Sequence, residues 1–151
     1  MTDPYRDAEA FAALFRKMEH DLKRSAFLKN THHAQADWNK FARELGMPFF
    51  DAIKASGRAK TLLGEPPRKL MRERLEWLPL NPRPLANVVE LFEQGVCRVR
   101  NSFVHGEKFV SGEEGQRERD ATLIREALFV LNEAKTQFEG VNKRGEWGLG
   151  H

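Results

Sequence analysis

A single cysteine, Cys97, stands in a chain of 151 residues, so no internal disulfide can form. No Cys/His cluster offers the paired ligands of a zinc site, and neither a metal nor a cofactor is expected. No apolar run reaches the ~20 residues that a bilayer-crossing helix needs, so no membrane attachment is expected. The segment Met1-Thr2-Asp3-Pro4-Tyr5-Arg6-Asp7 has neither the basic start nor the apolar block of a signal peptide, and a cytoplasmic location is the expectation. Strict apolar/polar alternation between hairpin turns is missing as well, so no strand is required anywhere. Internal repeats and low-complexity stretches are absent.

With nothing to staple it, such a chain must be held by its own core. A mass of 17.4 kDa is that of one ordinary domain, large enough to close a single apolar interior. Hydrophobic residues at 40% and charged ones at 31% suit a globular protein with a solvated surface. The expected organisation is one helical domain over residues 1–139. A loosely ordered tail follows over 140–151, where four glycines and Trp147 show no periodicity.

Apolar spacing predicts the helices. Phe11, Leu14, Phe15, Met18 and Leu22 recur at threes and fours, giving a helix from Pro4 to about Leu28 with Asp3 as N-cap. Asn30 and Thr31 interrupt, His32-His33 reads as the start of the next helix, and Trp38, Phe41 and Leu45 carry that helix to Gly46. Met47-Pro48 opens a short segment with Phe49, Phe50 and Ile53 that stops near Ser56-Gly57. After the turn Gly64-Glu65-Pro66-Pro67, Met71, Leu75 and Leu78 form a modest stripe, and Pro79, Pro82 and Pro84 break the chain. The strongest pattern is Leu85, Val88, Val89, Phe92, Val96, Val99 and Phe103, about five turns of a central helix ending near His105-Gly106. Ser111 to Gly115 reads as a loop, and Ala121, Ile124, Leu128, Leu131 and Phe138 mark a last long helix. The predicted class is all-α, an antiparallel bundle of four to five helices.

Charge is nearly balanced at +3, with a pI of about 9.2, but its distribution is uneven. Between Ala52 and Arg74 lie Lys54, Arg58, Lys60, Arg68, Lys69, Arg72 and Arg74 against only Glu65 and Glu73. Lys54, Arg58, Lys60, Arg68, Lys69 and Arg72 are candidate phosphate contacts for an RNA strand, the plain alternative being a solvated helix face.

The chemistry concentrates in Arg100-Asn101-Ser102-Phe103-Val104-His105-Gly106. On a helix Asn101 and His105 share a face and Arg100 adjoins it, while Val96, Val99 and Phe103 point to the core. Metal-free RNA cleavage needs a base for the 2′-hydroxyl proton, an acid for the leaving oxygen and fixed positive charge at the phosphorane. Imidazole suits the first two tasks near neutral pH, and guanidinium suits the third. Asn101 is placed to position the phosphate or to orient His105. The plain alternative is a helix C-terminus at which Arg100 and His105 only cap carbonyls.

This Arg100-Asn101-x-x-x-His105-Gly106 run, late in a core helix, resembles the R-x4-6-H signature of the HEPN superfamily (higher eukaryotes and prokaryotes nucleotide-binding domains). The resemblance implies a HEPN-like four-helix core and a homodimer that joins two motifs in one cleft. It also implies metal-independent endoribonuclease activity, many bacterial members being toxins or anti-phage effectors. Arg100, Asn101 and His105 would be the catalytic residues, RNA the substrate, and an antitoxin or regulatory protein a further partner. Where some toxin members carry a modifiable tyrosine two residues after the histidine, this chain has Glu107, so that route of silencing lacks its acceptor. A second reading keeps the same groove for noncatalytic binding of a nucleotide or a partner protein.

Other chemistry-bearing residues read more plainly. Cys97 sits inside a helical pattern and is expected to be packed rather than nucleophilic. His20 lies on a charged helix flank, and His32 and His33 are the pair to consider as auxiliary to the motif. Trp38, Phe41, Phe49 and Phe50 follow helical spacing and are expected in the core rather than as a base-stacking platform.

Overall fold

The structure, a computed structural model, describes residues 4–70, 77–78, 81–103 and 114–143. Five helical stretches form one bundle among the described residues: α1 (Pro4–Lys23), α2 (Trp38–Ser56), α3 (Lys60–Gly64), α4 (residues 88–103) and α5 (Glu114–Lys143). The one addition to the all-helical pattern is a two-residue antiparallel pairing of β1 (Lys69–Leu70) with β2 (Trp77–Leu78). Too short to alternate visibly, it leaves no periodic trace in the sequence.

α1 buries Phe11, Phe15, Met18 and Leu22, one stripe along its length, and lies along α5. It stops at Lys23, earlier than the spacing predicts, because Ser25 turns the chain: its hydroxyl donates to the Leu22 carbonyl at 2.9 Å. The chain then doubles back. Lys29 N–H donates to Gln35 and Asp37 N–H to Phe27, which closes a loop around a Leu28–Ala36 bridge and leaves Phe27 fully buried. His32 and His33 ride exposed on this loop rather than opening a helix; α2 starts at Trp38, capped by Asp37, whose Oδ1 accepts from Lys40 N–H at 3.0 Å.

The break expected at Gly46 is present: two helical segments meet there at a kink, Gly46 itself being non-helical, and α2 names the pair. Gly46 takes φ 73°, a left-handed value that glycine alone accepts freely, and Pro48 just beyond lacks the N–H that would tie the turns together. α2 ends where Gly57, at φ 68°, donates its N–H to the Lys54 carbonyl at 3.3 Å. α3 has no cap of its own. Glu126, buried on α5, supplies one, its Oε1 accepting from Leu62 N–H at 2.8 Å.

α4 begins at Val88 rather than Leu85. Asn87 caps it by accepting from Glu90 N–H at 2.9 Å, while Glu90 reaches back to Ala86 N–H, also at 2.9 Å. The regular helix expected here is interrupted by a wide π turn over Leu91–Val96, within which Cys97 N–H donates to the Phe92 carbonyl; regular geometry returns over Cys97–Phe103. Gly95 sits in that turn against Leu62 and Leu85, where a β-carbon would stand 3.3 Å from Leu85 Cδ1. The turn lets Leu91, Phe92, Gly95 and Val96 all reach the core.

α5 is longer at both ends than its apolar pattern indicates. Glu114 and Gly115, expected in a loop, are its first residues, and it continues through Gly140 to Lys143. Leu123, Ile124, Ala127, Val130, Leu131, Ala134 and Phe138 make its buried face. The expected N-cap Asp3, the apolar positions Met71 and Leu75, the helix end at His105-Gly106, the Ser111–Glu113 loop and tail residues 144–151 lie outside the described residues.

Candidate functional site

The motif occupies the last described turns of α4. Val99 is fully buried and Ser102 nearly so, whereas Arg100 is half-buried and Asn101 exposed, so the polar pair lies on the rim of the core as the spacing predicts. His105 lies outside the described residues, and of Phe103 only the helical backbone is described.

Two contacts shape Arg100. Its Nη1 donates to Asn101 Oδ1 at 3.2 Å, and its guanidinium carbon stands 5.5 Å from the centre of the Phe15 ring on α1. The second distance is within reach of a cation–π interaction. Phe15 in turn stacks on Trp38, with ring centres 4.8 Å apart and planes at 24°, and Trp38 stacks on Phe92 at 5.9 Å and 20°. Rings from α1, α2 and the π turn of α4 thus form a column that ends in a guanidinium. Trp38 Nε1 is buried in this column with no hydrogen-bond partner among the described residues.

Chemically, the fork of Arg100 is held at one nitrogen by an amide oxygen and its carbon stands over a ring, with further N–H donors that no other described residue engages. Asn101 is joined to Arg100, a partner that helical spacing alone does not single out. Cys97, three residues earlier, is poorly suited to nucleophilic work: burial pushes its thiol up to about 12, and the carboxylate of Glu19 acts in the same direction. Arg98 differs again. It donates from Nη1 to the Pro67 carbonyl at 3.3 Å, and burial lowers its pKa from the usual arginine value.

The basic candidates do not share one surface cavity. Lys54 and Lys60 are exposed and flank a pocket of about 260 Å³ floored by Phe50, Leu63 and Leu85. Arg58 instead lies over the Phe129 ring at 4.0 Å and lines a groove of about 440 Å³ between α2 and α5. Arg68 is half-buried, with its Nε buried and unpartnered among the described residues. Lys69 lies on β1, its side chain outside the described part, and Arg72 falls outside it altogether. His20 is exposed beside Asp21, its Nδ1 3.3 Å from Oδ1. Trp38, Phe41, Phe49 and Phe50 are buried, as their spacing predicts.

Residues that sequence reasoning did not single out hold the surroundings. Arg119 of α5 donates from Nη2 to the carbonyls of Glu65 at 2.8 Å and Pro66 at 3.4 Å, and Arg98 takes the next one, Pro67. Pro66 and Pro67 are buried and have no N–H of their own, so two arginines tie this stretch to α4 and α5. No pattern within the local sequence announces these pairings, because each joins distant parts of the chain. Among the described residues no group of three or more His, Cys, Asp or Glu side chains is gathered to hold a metal ion, and no helix is long and apolar enough to cross a membrane. Compared with family models, with curated proteins and with solved structures, the chain matches none of them.

Proposed function

We propose that this protein is a metal-independent endoribonuclease of HEPN type, acting as a homodimer in the cytoplasm in the manner of a toxin or anti-phage effector. The observation that supports this reading best is the held, half-buried guanidinium of Arg100, tied to Asn101 at the edge of the core on the helix that leads to His105. An arginine whose fork is fixed before substrate arrives loses little freedom on meeting a phosphodiester and can hold the charge that grows on its oxygens in the transition state.

In this reading His105 accepts the proton of the 2′-hydroxyl, the 2′-oxygen attacks phosphorus, and the bond to the 5′-oxygen breaks. That oxygen leaves with a proton from a second imidazole, and the products are a 2′,3′-cyclic phosphate and a 5′-hydroxyl. Since one chain supplies one imidazole in the motif, the second comes from another copy across a two-fold axis, the commonest oligomeric symmetry. Asn101 holds Arg100, and Lys54, Arg58 and Lys60 are exposed cations for more distant phosphates of the strand.

The test is cleavage of generic RNA in EDTA with analysis of the product ends, for the wild type and for His105→Ala. Cyclic phosphate ends made by the wild type and lost in the variant are the expected result. Binding without cleavage by the wild type would replace this function with that of a noncatalytic binding module, and activity that returns only with magnesium would point to carboxylate chemistry.

A further inference from the structure

The aromatic column at the end of α4 does more than fill the core. We infer that Phe15 is the positioning residue for Arg100: its ring holds the guanidinium so that the fork's free donors face the phosphate of a bound RNA strand. The inference rests on the functional reading above and names the residue through which its arginine acts.

Three observations lead to it. The Arg100 guanidinium lies 5.5 Å from the Phe15 ring centre, while among the described residues only Nη1 is engaged, by Asn101 Oδ1 at 3.2 Å. One side-chain hydrogen bond leaves an arginine free to swing about that bond; a ring whose centre lies 5.5 Å from the guanidinium carbon restrains that swing. Phe15 itself cannot drift. It is 3% exposed, stacked on Trp38 at 4.8 Å, and Trp38 is backed by Phe92 from the π turn of the same helix that bears Arg100. The guanidinium and the far end of its support are therefore both anchored in α4, so a shift of α1 alone cannot carry the ring away without breaking the stack. The electrostatics agree in direction, because the negative face of the ring attracts the cation without occupying its in-plane donors, which stay available for an oxyanion.

Leucine at position 15 would keep an apolar side chain but lose the π face. Binding of a fluorescent 2′-O-methyl oligoribonucleotide, which lacks the attacking hydroxyl and cannot be cleaved, reads the arginine's grip apart from chemistry. The full-length protein is compared as wild type, Phe15→Leu, Phe15→Tyr and Phe11→Leu, the last an equal loss one turn earlier on α1 from a residue 1% exposed. Phe15→Leu should weaken binding about tenfold. Phe15→Tyr, which keeps the ring, and Phe11→Leu, which thins the packing beside Phe15 (ring centres 5.9 Å apart) but leaves the ring under Arg100, should both bind within about twofold of wild type. Nuclear magnetic resonance of the Arg100 guanidinium, assigned with Arg100→Lys, should show a ring-current displacement in the wild type that Phe15→Leu abolishes and Phe15→Tyr retains.

Equal binding by folded Phe15→Leu and wild type, an equal loss in Phe11→Leu, or a wild type that does not bind the strand would each overturn the inference. If Phe15→Leu does not fold, a wild-type guanidinium signal without ring-current displacement overturns it on its own. A wild type that binds with these differences yet leaves unmodified RNA intact sinks the ribonuclease reading and keeps Phe15 as the support of an anion-binding arginine.

Discussion

Arg98 and Arg100 stand two residues apart on α4, both half-buried, and their donors meet different partners. Arg98 reaches across to the Pro67 carbonyl, beside Arg119, which holds the carbonyls of Glu65 and Pro66. Among the described residues Arg100 bonds only the side chain next to it, and it stands over a ring. A backbone carbonyl inside a buried diproline stretch has little other recourse for a donor, so the arginine that serves it is committed to the fold. An exposed asparagine and an aromatic face need nothing from Arg100 in return, so its remaining donors stay available to a ligand. Identity and burial are alike; in the proposed reading the partner separates a structural arginine from one ready for binding.

Substitution is the direct way to break this comparison. Arg100→Ala should lower RNA cleavage by about 10²–10³-fold, the usual effect of losing one donor that stabilises transition-state charge. Its urea midpoint should stay near wild type, and initial rates beside urea melts check both halves. Retained cleavage would place Arg100 with Arg98 among the structural arginines.

Arg98→Ala should do the reverse. Loss of a charged donor leaves the Pro67 carbonyl unsatisfied, and unfolding free energy should fall by about 1.5 kcal/mol. Cleavage per folded molecule should remain within about twofold, measured at a temperature where the variant is fully native. A cleavage defect as large as that of Arg100→Ala would mean that the Glu65–Pro67 stretch belongs to the active surface.

A finer test uses Asn101→Ala, which frees the guanidinium at one nitrogen while Phe15 still supports its face. Cleavage should drop about tenfold, equivalent to about 1.4 kcal/mol, with stability unchanged because Asn101 is exposed. The smallest effect is expected from lysine at position 98. One carbonyl asks for one donor, so Arg98→Lys should recover most of the stability lost in Arg98→Ala, whereas Arg100→Lys should recover little cleavage because lysine has no fork. Melts and initial rates of the two lysine variants compare these outcomes directly.

Much of this frame is legible in single segments. Phe11, Phe15, Met18 and Leu22 announce both the existence and the buried face of α1, and the α5 positions Ile124, Leu131 and Phe138 do the same, because a 3.6-residue period reports which side of a helix is dry. The helix ends are less legible. Ser25 stops α1 through a hydroxyl bond to the Leu22 carbonyl, and Glu114 and Gly115 extend α5 although nothing apolar marks them. Of the candidate site, the polar rim of Arg100 and Asn101 beside buried Val99 follows from spacing; the role of Phe15 does not, since its position in the α1 stripe gives it the same signature as Phe11.

The sequence by itself determined the helical class, the lack of any disulfide, the apolar faces that close the bundle, and the placing of Arg100 and Asn101 late in one helix. Those properties depend on composition or on residues a few positions apart, where periodicity carries the information. Only the tertiary structure decided that the central helix widens over Leu91–Val96 and that Glu126 caps α3 from 64 positions away. It alone assigned Arg98 to the diproline stretch and set the guanidinium of Arg100 over the ring of Phe15. Each of these joins groups that are distant along the chain, and such partners are selected by how faces pack together, a property that no local pattern contains.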